Sequence, residues 1–417
     1  MSLSVCVIGL GYIGLPTAAV LARAGARVYG VDVSDRHVDA VNRGELPFVE
    51  EGLGEVVADV VKSGLLSAQK DTPHSDVYIV AVPTPFKGQH HEADLSYIET
   101  AARNIAPQLV GDELVILEST SPPGTTEHMA DVILAERPDL SIDGADCKPV
   151  VHFAHCPERV LPGRIMIEMV SNARIIGGVT PEAARMARDV YATFCEGELV
   201  LTDAKTAEMA KLTENSFRDV NIAFANELSI LCEKLGIDVW ELIELANRHP
   251  RVNILNPGPG VGGHCIAVDP WFIVSALPND AKIIRDAREV NDSKPQYVID
   301  KVQEAVQGIE SPVIAALGLA FKADIDDLRE SPALDITKEI SEQLPEAKVL
   351  AVEPNIDILP KKLEGIGNLE LADLHEAIEA ADIIVLLVDH KEIRALDRAV
   401  FADKTLIDTR GVFRHAV

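Results

Sequence analysis

The sequence predicts an α/β fold in which two doubly wound parallel-sheet domains are joined by a helical section that contains a long helix. Three observations support this prediction. Short apolar runs alternate with helical patterns in the first half, the middle of the chain is helical, and the last third repeats features of the first. The predicted domains are residues 1–200, 201–308 and 309–417.

Short apolar runs bounded by turn residues predict the strands of both sheets. They are residues 5–9, 26–32, 77–82, 113–118 and 150–154, and later residues 313–317, 348–352, 383–388 and 405–407. Helical periodicity extends from Ala204 to Arg248 with a break near Gly236, and a further long helix is expected from about Asp280 to Gln307.

Two late segments resemble two early ones. AKVLAVEPN resembles ARVYGVDVS, and AADIIVLLVDH resembles HSDVYIVAVPT. The repeat predicts that both sheets are Rossmann-like, with the functional site expected between them.

Charge and composition exclude several classes of partner. Acidic residues outnumber Lys plus Arg by 66 to 38, and a net charge of -28 repels nucleic acid and anionic lipid. No apolar run is long enough for a membrane span, and MSLSVCVIGL lacks the features of a secretory signal, so a cytoplasmic location is expected. The six cysteines form no Cys-x-x-Cys pair, so we predict neither a disulfide framework nor a metal site.

A glycine-rich segment after the first strand predicts a dinucleotide site. Its glycines permit a tight turn and close approach of a pyrophosphate to a helix N-terminus, and an acid at the end of the next strand accepts hydrogen bonds from ribose hydroxyls. This acid favours NAD over NADP, although the nearby Arg36 leaves NADP as an alternative. The predicted cofactor residues are Gly9, Gly11, Tyr12, Ile13, Gly14 and Asp32, with Thr84 and Thr120 on later loops.

Cys265 follows Gly262, Gly263 and His264 in a loop rich in glycine. Crowded glycines bring backbone close to a ligand, which favours Cys265 as a nucleophile over the alternative of a small buried thiol. His264 is interpreted as structural.

Glu208, Lys211 and Asn215 recur at helical spacing and share one helix face. One interpretation is a solvated charged face. The other is a site in which Lys211 neutralises an alkoxide or oxyanion and Asn215 donates a second hydrogen bond.

Two further segments follow predicted strands. Thr120 lies in ESTSPPG, where it is expected to face the crevice at the carboxyl edge of the sheet. Glu158 lies in CPER, either as a salt-bridge partner of Arg159 or as a general base that activates water.

Taken together and in this order, the motifs resemble the UDP-glucose/GDP-mannose dehydrogenase family over essentially the whole chain. Within the family, GGHCIAVDPW, CPERVLPG and FKADIDDLRES are most similar to the members that act on UDP-N-acetyl-D-mannosamine. The resemblance implies a homodimer or higher oligomer that uses NAD to oxidise C6 of a UDP-sugar to a carboxylate, for a surface polysaccharide.

The resemblance also implies roles for individual residues. Cys265 captures the aldehyde, Glu158 serves hydrolysis of the resulting thioester, and Thr120 and Asp269 position water. Lys211 and Asn215 stabilise the oxyanion, and Arg329 contacts the cofactor. Residues assigned to the substrate are Glu158, Arg159, Lys211, Asn215, Gly262, Lys322, Arg410 and, across a subunit boundary, Arg251.

The departure from glucose-type members is Pro162, which stands where they have a second glutamate, and this argues against UDP-glucose. Three alternatives remain. They are a UDP-N-acetylglucosamine 6-dehydrogenase, a two-electron 3-hydroxyacid-type dehydrogenase, and a silent sugar-nucleotide binder or epimerase.

Overall fold

The computed structural model describes residues 3–48, 50–88, 91–161, 163–263 and 266–413. The chain forms two compact units, residues 1–214 and 215–417. The predicted nucleophile Cys265 and its neighbour His264 lie outside the described residues, as does Pro162. The domain limits at residues 200 and 308 stay a prediction.

The first unit is built around one large sheet with helices on both faces. Its strands are β1 (Ser4–Ile8), β2 (Arg27–Val31), β3 (Leu66–Gln69), β4 (Val77–Val80), β5 (Phe86–Lys87), β6 (Glu92–Ala93), β7 (Leu114–Leu117), β8 (His152–His155), β9 (Arg174–Gly178) and β10 (Leu199–Asp203). Its helices are α1 (Gly14–Arg23), α2 (Asp35–Asn42), α3 (Leu53–Lys62), α4 (Ser96–Ile105), α5 (Thr125–Glu136), α6 (Ile165–Ser171) and α7 (Pro181–Tyr191), with short 3-10 helices at Ala106–Gln108 and Ala145–Cys147.

Eight of these strands form a sheet in the order β10-β9-β8-β7-β4-β1-β2-β3, and β5 and β6 form a separate antiparallel hairpin. Within the large sheet, neighbours are parallel except β8 and β9. Alternate residues of β1 enter different cores, since Val5 and Val7 pack on one face and Cys6 and Ile8 on the other. The sheet is therefore covered on both faces, as the near-continuous apolar runs predicted.

The sequence-based prediction of a parallel sheet is correct for its centre and wrong at one edge. β9 and β10 run antiparallel to β8, and both were missed, as was β3. β9 contains two adjacent glycines, and β10 exposes Val200 and Leu201 at the sheet edge. Neither strand therefore has the buried apolar run on which the prediction relied.

The long helix α8 (Ala204–Leu235) begins in the first unit and ends in the second. The second unit continues with α9 (Val239–Ala246), α10 (Asp269–Ala276), α11 (Lys282–Ala305), α12 (Pro332–Gln343), α13 (Leu374–Ala380), α14 (Lys391–Arg394) and a 3-10 helix at Arg398–Phe401. The predicted helical section and the predicted helix near residues 280–307 are both present. No helix in the described ranges is long and apolar enough to cross a membrane.

The second sheet is entirely parallel, in the order β13-β12-β11-β14-β15. Its strands are β11 (Val313–Leu317), β12 (Lys348–Val352), β13 (Leu369–Leu371), β14 (Ile383–Leu386) and β15 (Thr405–Asp408). An acid follows the second strand of each half of the repeat and accepts hydrogen bonds from backbone N–H groups after the first strand. Asp32 accepts from Leu10, and Glu353 accepts from Leu319 and Ala320. The internal repeat predicted from the sequence therefore extends to these hydrogen bonds.

Candidate active site

The glycine-rich loop lies between β1 and α1, and close backbone contacts require a glycine at two of its three glycine positions. Gly9 has φ 96°, and a Cβ there would lie 2.4 Å from the Ala81 carbonyl oxygen. A Cβ on Gly14 would lie 1.8 Å from the carbonyl oxygen of Gly9, whereas the space around Gly11 is open. Gly9 and Gly14 therefore fix a tight turn, and Gly11 leaves room for a ligand at the N-terminus of α1.

The Asp32 carboxylate is held in a fixed orientation beside this loop. Its Oδ1 accepts from the Ser34 N–H at 2.8 Å, its Oδ2 accepts from the Leu10 N–H at 2.8 Å, and His37 Nδ1 lies 3.2 Å from Oδ2. An oriented acid at this place suits the ribose hydroxyls of NAD and repels a 2′-phosphate. These residues fit NAD, whose nicotinamide ring accepts a hydride when bound.

Two loops at the carboxyl edge of the first sheet are joined by hydrogen bonds. The Thr84 hydroxyl donates to the Thr120 carbonyl oxygen at 2.7 Å, and the Ser119 hydroxyl donates to the Val82 carbonyl oxygen at 2.7 Å. Because β4 and β7 are neighbours, Thr84 and Thr120 meet at this edge, where ligands of such sheets bind.

Glu158 follows β8, and its salt-bridge partner differs from the one that the sequence suggested. Its Oε2 accepts from the guanidinium of Arg174 at 2.9 Å, while its Oε1 accepts from the backbone N–H of Arg159 at 2.7 Å. The Arg159 guanidinium instead pairs with Glu214 at 2.6 Å. The interpretation of a Glu158–Arg159 side-chain pair is therefore wrong, because an arginine of the missed strand β9 takes that place.

The face of α8 that carries Glu208 and Lys211 is not simply a solvated charged surface. Glu208 is fully buried and accepts from the backbone N–H groups of Gly124 and Thr126 and from the Thr126 hydroxyl. It thus caps the N-terminus of α5, and burial raises the pKa of its carboxyl. Lys211 is half-buried and forms no ion pair with a carboxylate of the described residues.

Asn215 and Asp269 are brought together in the second unit. The Asn215 side-chain amide donates to Asp269 Oδ2 at 2.5 Å, and the two residues are only 8% and 3% exposed. Asp269 begins α10, four residues after Cys265 in the sequence. Two predicted catalytic residues 54 positions apart therefore form one buried pair.

A buried polar network holds the loop that leads to Cys265. The Gly258 N–H donates to Asn226 of α8 at 2.9 Å, and the Asn226 amide donates to Asn291 of α11 at 2.9 Å. Asn291 in turn donates to Asp219, which is paired with Arg288 at 2.5 Å. All four side chains are nearly inaccessible to solvent, so the network fixes the loop between two long helices.

The same loop packs against predicted substrate-binding segments of the second unit. Gly263 donates through its N–H to the Glu330 carbonyl oxygen at 3.2 Å, and a Cβ on Gly262 would lie 2.6 Å from Pro332. A Cβ on Gly258 would lie 2.8 Å from the guanidinium of Arg410, which is itself held by Asp389. The loop therefore contains Gly262 and is in contact with Arg410.

The remaining predicted residues are at the surface. Lys322, Arg329 and Arg251 are exposed, and the Arg329 guanidinium pairs with Asp327 at 2.6 Å. Tyr12 is 36% exposed, with its ring stacked on Phe48. Exposure leaves Lys322 and Arg251 able to reach a charged ligand or a second subunit.

Sequence reasoning missed Arg174 and the network around Asn226. Both contain residues that are rarely buried, such as an arginine within a strand and an asparagine in the middle of a long helix. A buried polar residue needs a hydrogen-bonding partner. A polar residue at a position where the pattern predicts burial is therefore the signal that could have identified these positions.

The fold and the glycine-rich loop define a dinucleotide-binding dehydrogenase, and comparison with known proteins identifies its family. The NAD binding domain of the UDP-glucose/GDP-mannose dehydrogenase family matches residues 3–195, the central domain matches residues 205–293, and the UDP binding domain matches residues 315–415. The chain belongs to this family, and it is an NAD-dependent nucleotide-sugar dehydrogenase.

Individual relatives cover nearly the whole chain. It is 57% identical to the UDP-N-acetyl-D-mannosamine dehydrogenase of Campylobacter jejuni, over 93% of this chain and 95% of the relative. It is 54% identical to the NDP-N-acetyl-D-galactosaminuronic acid dehydrogenase of Ralstonia nicotianae, over 98% and 96% of the two chains. The solved structure of the UDP-D-ManNAc dehydrogenase from Pyrococcus horikoshii superposes with a TM-score of 0.85 at 38% identity, over 99% and 96% of the two chains.

Proposed function

We propose that this protein oxidises C6 of UDP-N-acetyl-D-mannosamine to the carboxylate of UDP-N-acetyl-D-mannosaminuronate. The observation that supports the sugar is the 53–57% identity to dehydrogenases named for this substrate, over more than nine-tenths of the chain. Overall fold does not discriminate between sugars, because a UDP-glucose dehydrogenase from Pyrobaculum islandicum also superposes with a TM-score of 0.85. Pro162 in place of the second glutamate of glucose-type members argues against glucose.

The proposed chemistry uses Cys265 because an alcohol dehydrogenase without a covalent step stops at the aldehyde. After the first hydride has left C6, the Cys265 sulfur adds to the aldehyde carbon and gives a thiohemiacetal, which keeps one C–H bond. Loss of that hydride and of the hydroxyl proton gives a thioester. Water then adds to the thioester carbon, the C–S bond breaks, and the acid and the free thiol are released.

The other proposed roles follow from charge and position. The Lys211 ammonium stabilises the negative oxygen that develops in each step, and Asn215 donates its second amide hydrogen, since its first is bound to Asp269. Glu158 accepts the proton of the attacking water, and Thr120 and Asp269 position that water.

The deciding experiment is a substrate panel with NADH and product mass as the readouts. The panel contains UDP-N-acetylmannosamine, UDP-N-acetylglucosamine, UDP-N-acetylgalactosamine and UDP-glucose. We expect two NADH and one uronic acid per UDP-N-acetylmannosamine, with much lower kcat/KM for the other sugars. One NADH with a released carbonyl compound contradicts the four-electron chemistry, whereas two NADH with a different preferred sugar contradicts only the sugar.

A second candidate substrate is the galacto-configured N-acetylhexosamine. The relative from Ralstonia nicotianae supports it, because that protein is 54% identical and is named for N-acetyl-D-galactosaminuronic acid. The UDP-N-acetylgalactosamine arm of the panel tests it directly.

We also propose that the protein is a homodimer formed through α8. Phe217, Phe224 and Leu231 recur every seven residues and are 69%, 52% and 47% exposed, and Leu235 extends this apolar stripe at 71% exposure. A row of large exposed apolar side chains on a chain of net charge -28 marks an interface, and a long helix with this spacing pairs with a second copy.

Phe224→Glu is expected to shift the protein from dimer to monomer, because it places a charge in the apolar stripe. Sedimentation velocity measures the shift, and Ile358→Glu is the control, since Ile358 is 77% exposed in the loop after β12. If Arg251 contacts the sugar nucleotide of the second subunit, the monomer also has a raised KM for the UDP-sugar. A dimeric Phe224→Glu variant contradicts the proposed interface.

A further inference from the structure

Glu158 belongs to a buried cluster of charged and polar side chains in the first unit. The cluster consists of Glu158, Arg174, Glu118, Tyr191 and Thr17, which come from the loop after β8, from β9, from the residue after β7, from α7 and from α1. None of the five is more than 8% exposed. The cluster therefore joins five elements away from solvent, and it contains one arginine and two carboxyl groups.

Arg174 is held tightly at the centre of this cluster. Its guanidinium donates to Glu158 Oε2 at 2.9 Å and to the Met169 carbonyl oxygen at 3.3 Å, and lies 3.9 Å from the Cys156 sulfur. The Tyr191 and Phe194 rings flank it at 4.8 and 5.4 Å. Aromatic faces and hydrogen bonds thus fix the direction in which the cation points.

The second carboxyl group is bound mainly by neutral donors. Glu118 accepts from the Tyr191 hydroxyl at 2.9 Å and from the Thr17 hydroxyl at 3.0 Å. Burial, with the nearby charge of Glu158, raises the pKa of Glu118 to about 7, against the opposing effect of Arg174. Of the two carboxyl groups, it is therefore Glu158 that bonds to the Arg174 guanidinium, while Glu118 is bound by hydroxyl groups.

We propose that Arg174 is the positioning residue of Glu158 in thioester hydrolysis, an inference that rests on the proposed function. Arg174 fixes Oε2 and the Arg159 N–H fixes Oε1, so the carboxylate cannot rotate. A carboxylate has about four acceptor positions, so these two bonds leave positions for a water molecule. Without the guanidinium, the buried carboxylate loses both its charge partner and the hydrogen bond that fixes the direction of Oε2.

The test compares Arg174→Met, Arg174→Lys and Glu158→Gln with the wild type, using full-length enzyme, NAD and the UDP-sugar that the panel selects. Arg137→Met is the matched control, because Arg137 binds two backbone carbonyl groups and Asp139 in the same unit, outside the cluster. The readouts are steady-state kcat and KM, the NADH burst in rapid mixing and the mass of the acid-quenched protein.

For Arg174→Met we expect kcat to fall about 10- to 100-fold, part of the roughly 10²- to 10⁴-fold that a general base contributes. For the sugar, kcat/KM stays within about twofold of the wild type, because slower hydrolysis of the thioester lowers kcat and KM together. The NADH burst persists, and an acyl group accumulates on the protein. Arg174→Lys restores part of kcat, and Arg137→Met accumulates no acyl group.

Other outcomes distinguish a failure of the Arg174 inference from a failure of the role proposed for Glu158. Acyl-enzyme in Glu158→Gln but not in Arg174→Met overturns the role of Arg174 alone. Wild-type kcat in Glu158→Gln overturns the assignment of Glu158 itself. If the NADH burst and substrate binding both decrease in proportion to kcat, Arg174 contributes only to the folding of the protein. Should Arg174→Met not fold, Arg174→Lys decides, because wild-type kinetics in that variant overturn the inference.

Discussion

Cys265→Ser is expected to bind NAD and the sugar nucleotide while forming almost no uronic acid. A serine hydroxyl at neutral pH is a far weaker nucleophile than a thiolate, so the aldehyde is not captured and the second hydride has no donor. We expect acid formation to fall by roughly 10³-fold or more, as for other covalent nucleophiles. The measurements are uronic acid by mass spectrometry and NADH per sugar.

Cys147→Ser is the control for this substitution. Cys147 is an exposed free cysteine in the 3-10 helix at Ala145–Cys147, and the proposal gives it no role, so its replacement is expected to leave turnover unchanged. Titration of NAD and sugar binding by fluorescence shows that Cys265→Ser is folded. Turnover of that variant at the wild-type rate contradicts covalent catalysis by Cys265.

The second large effect is a loss of stability in Arg288→Met. Arg288 of α11 and Asp219 of α8 are 1% and 0% exposed, and Arg288 Nη1 lies 2.5 Å from Asp219 Oδ1. Removing the cation leaves a buried carboxylate without its charge partner, which costs about 3–5 kcal/mol of unfolding free energy. Urea unfolding, monitored by circular dichroism, measures the difference from the wild type.

The loss depends on pH in a defined direction. Burial raises the pKa of Asp219, and Arg288 opposes this, so the pKa rises further in the variant. A carboxyl whose pKa is higher in the folded than in the unfolded state stabilises the fold when protonated, and this stability is lost as pH increases. The variant is therefore expected to be closest to the wild type at acidic pH and furthest from it at neutral and alkaline pH.

A double variant separates the charge from the packing. Arg288→Met with Asp219→Leu removes both charges, so it is expected to recover much of the lost stability. Equal stability of Arg288→Met and the wild type at neutral pH is the result that contradicts this account of the pair.

The sequence by itself determined the features that depend on local order along the chain. The glycines between Gly9 and Gly14 act within one turn, and Asp32 meets them because parallel neighbouring strands end at the same edge. The two sheets followed from apolar runs that are buried on both faces, and α8 followed from its periodicity. These signals lie within short stretches, so no partner needed to be known.

Only the tertiary structure decided which distant polar groups form an ion pair or a hydrogen bond with each other. Glu158 was expected beside Arg159, its neighbour in sequence, and instead pairs with Arg174 of an antiparallel strand. Glu208 looked like part of a solvated face and instead caps α5, and Asn215 reaches Asp269 across 54 positions. A buried polar group must find a partner, but the sequence does not specify which one, because that choice depends on how strands and helices pack.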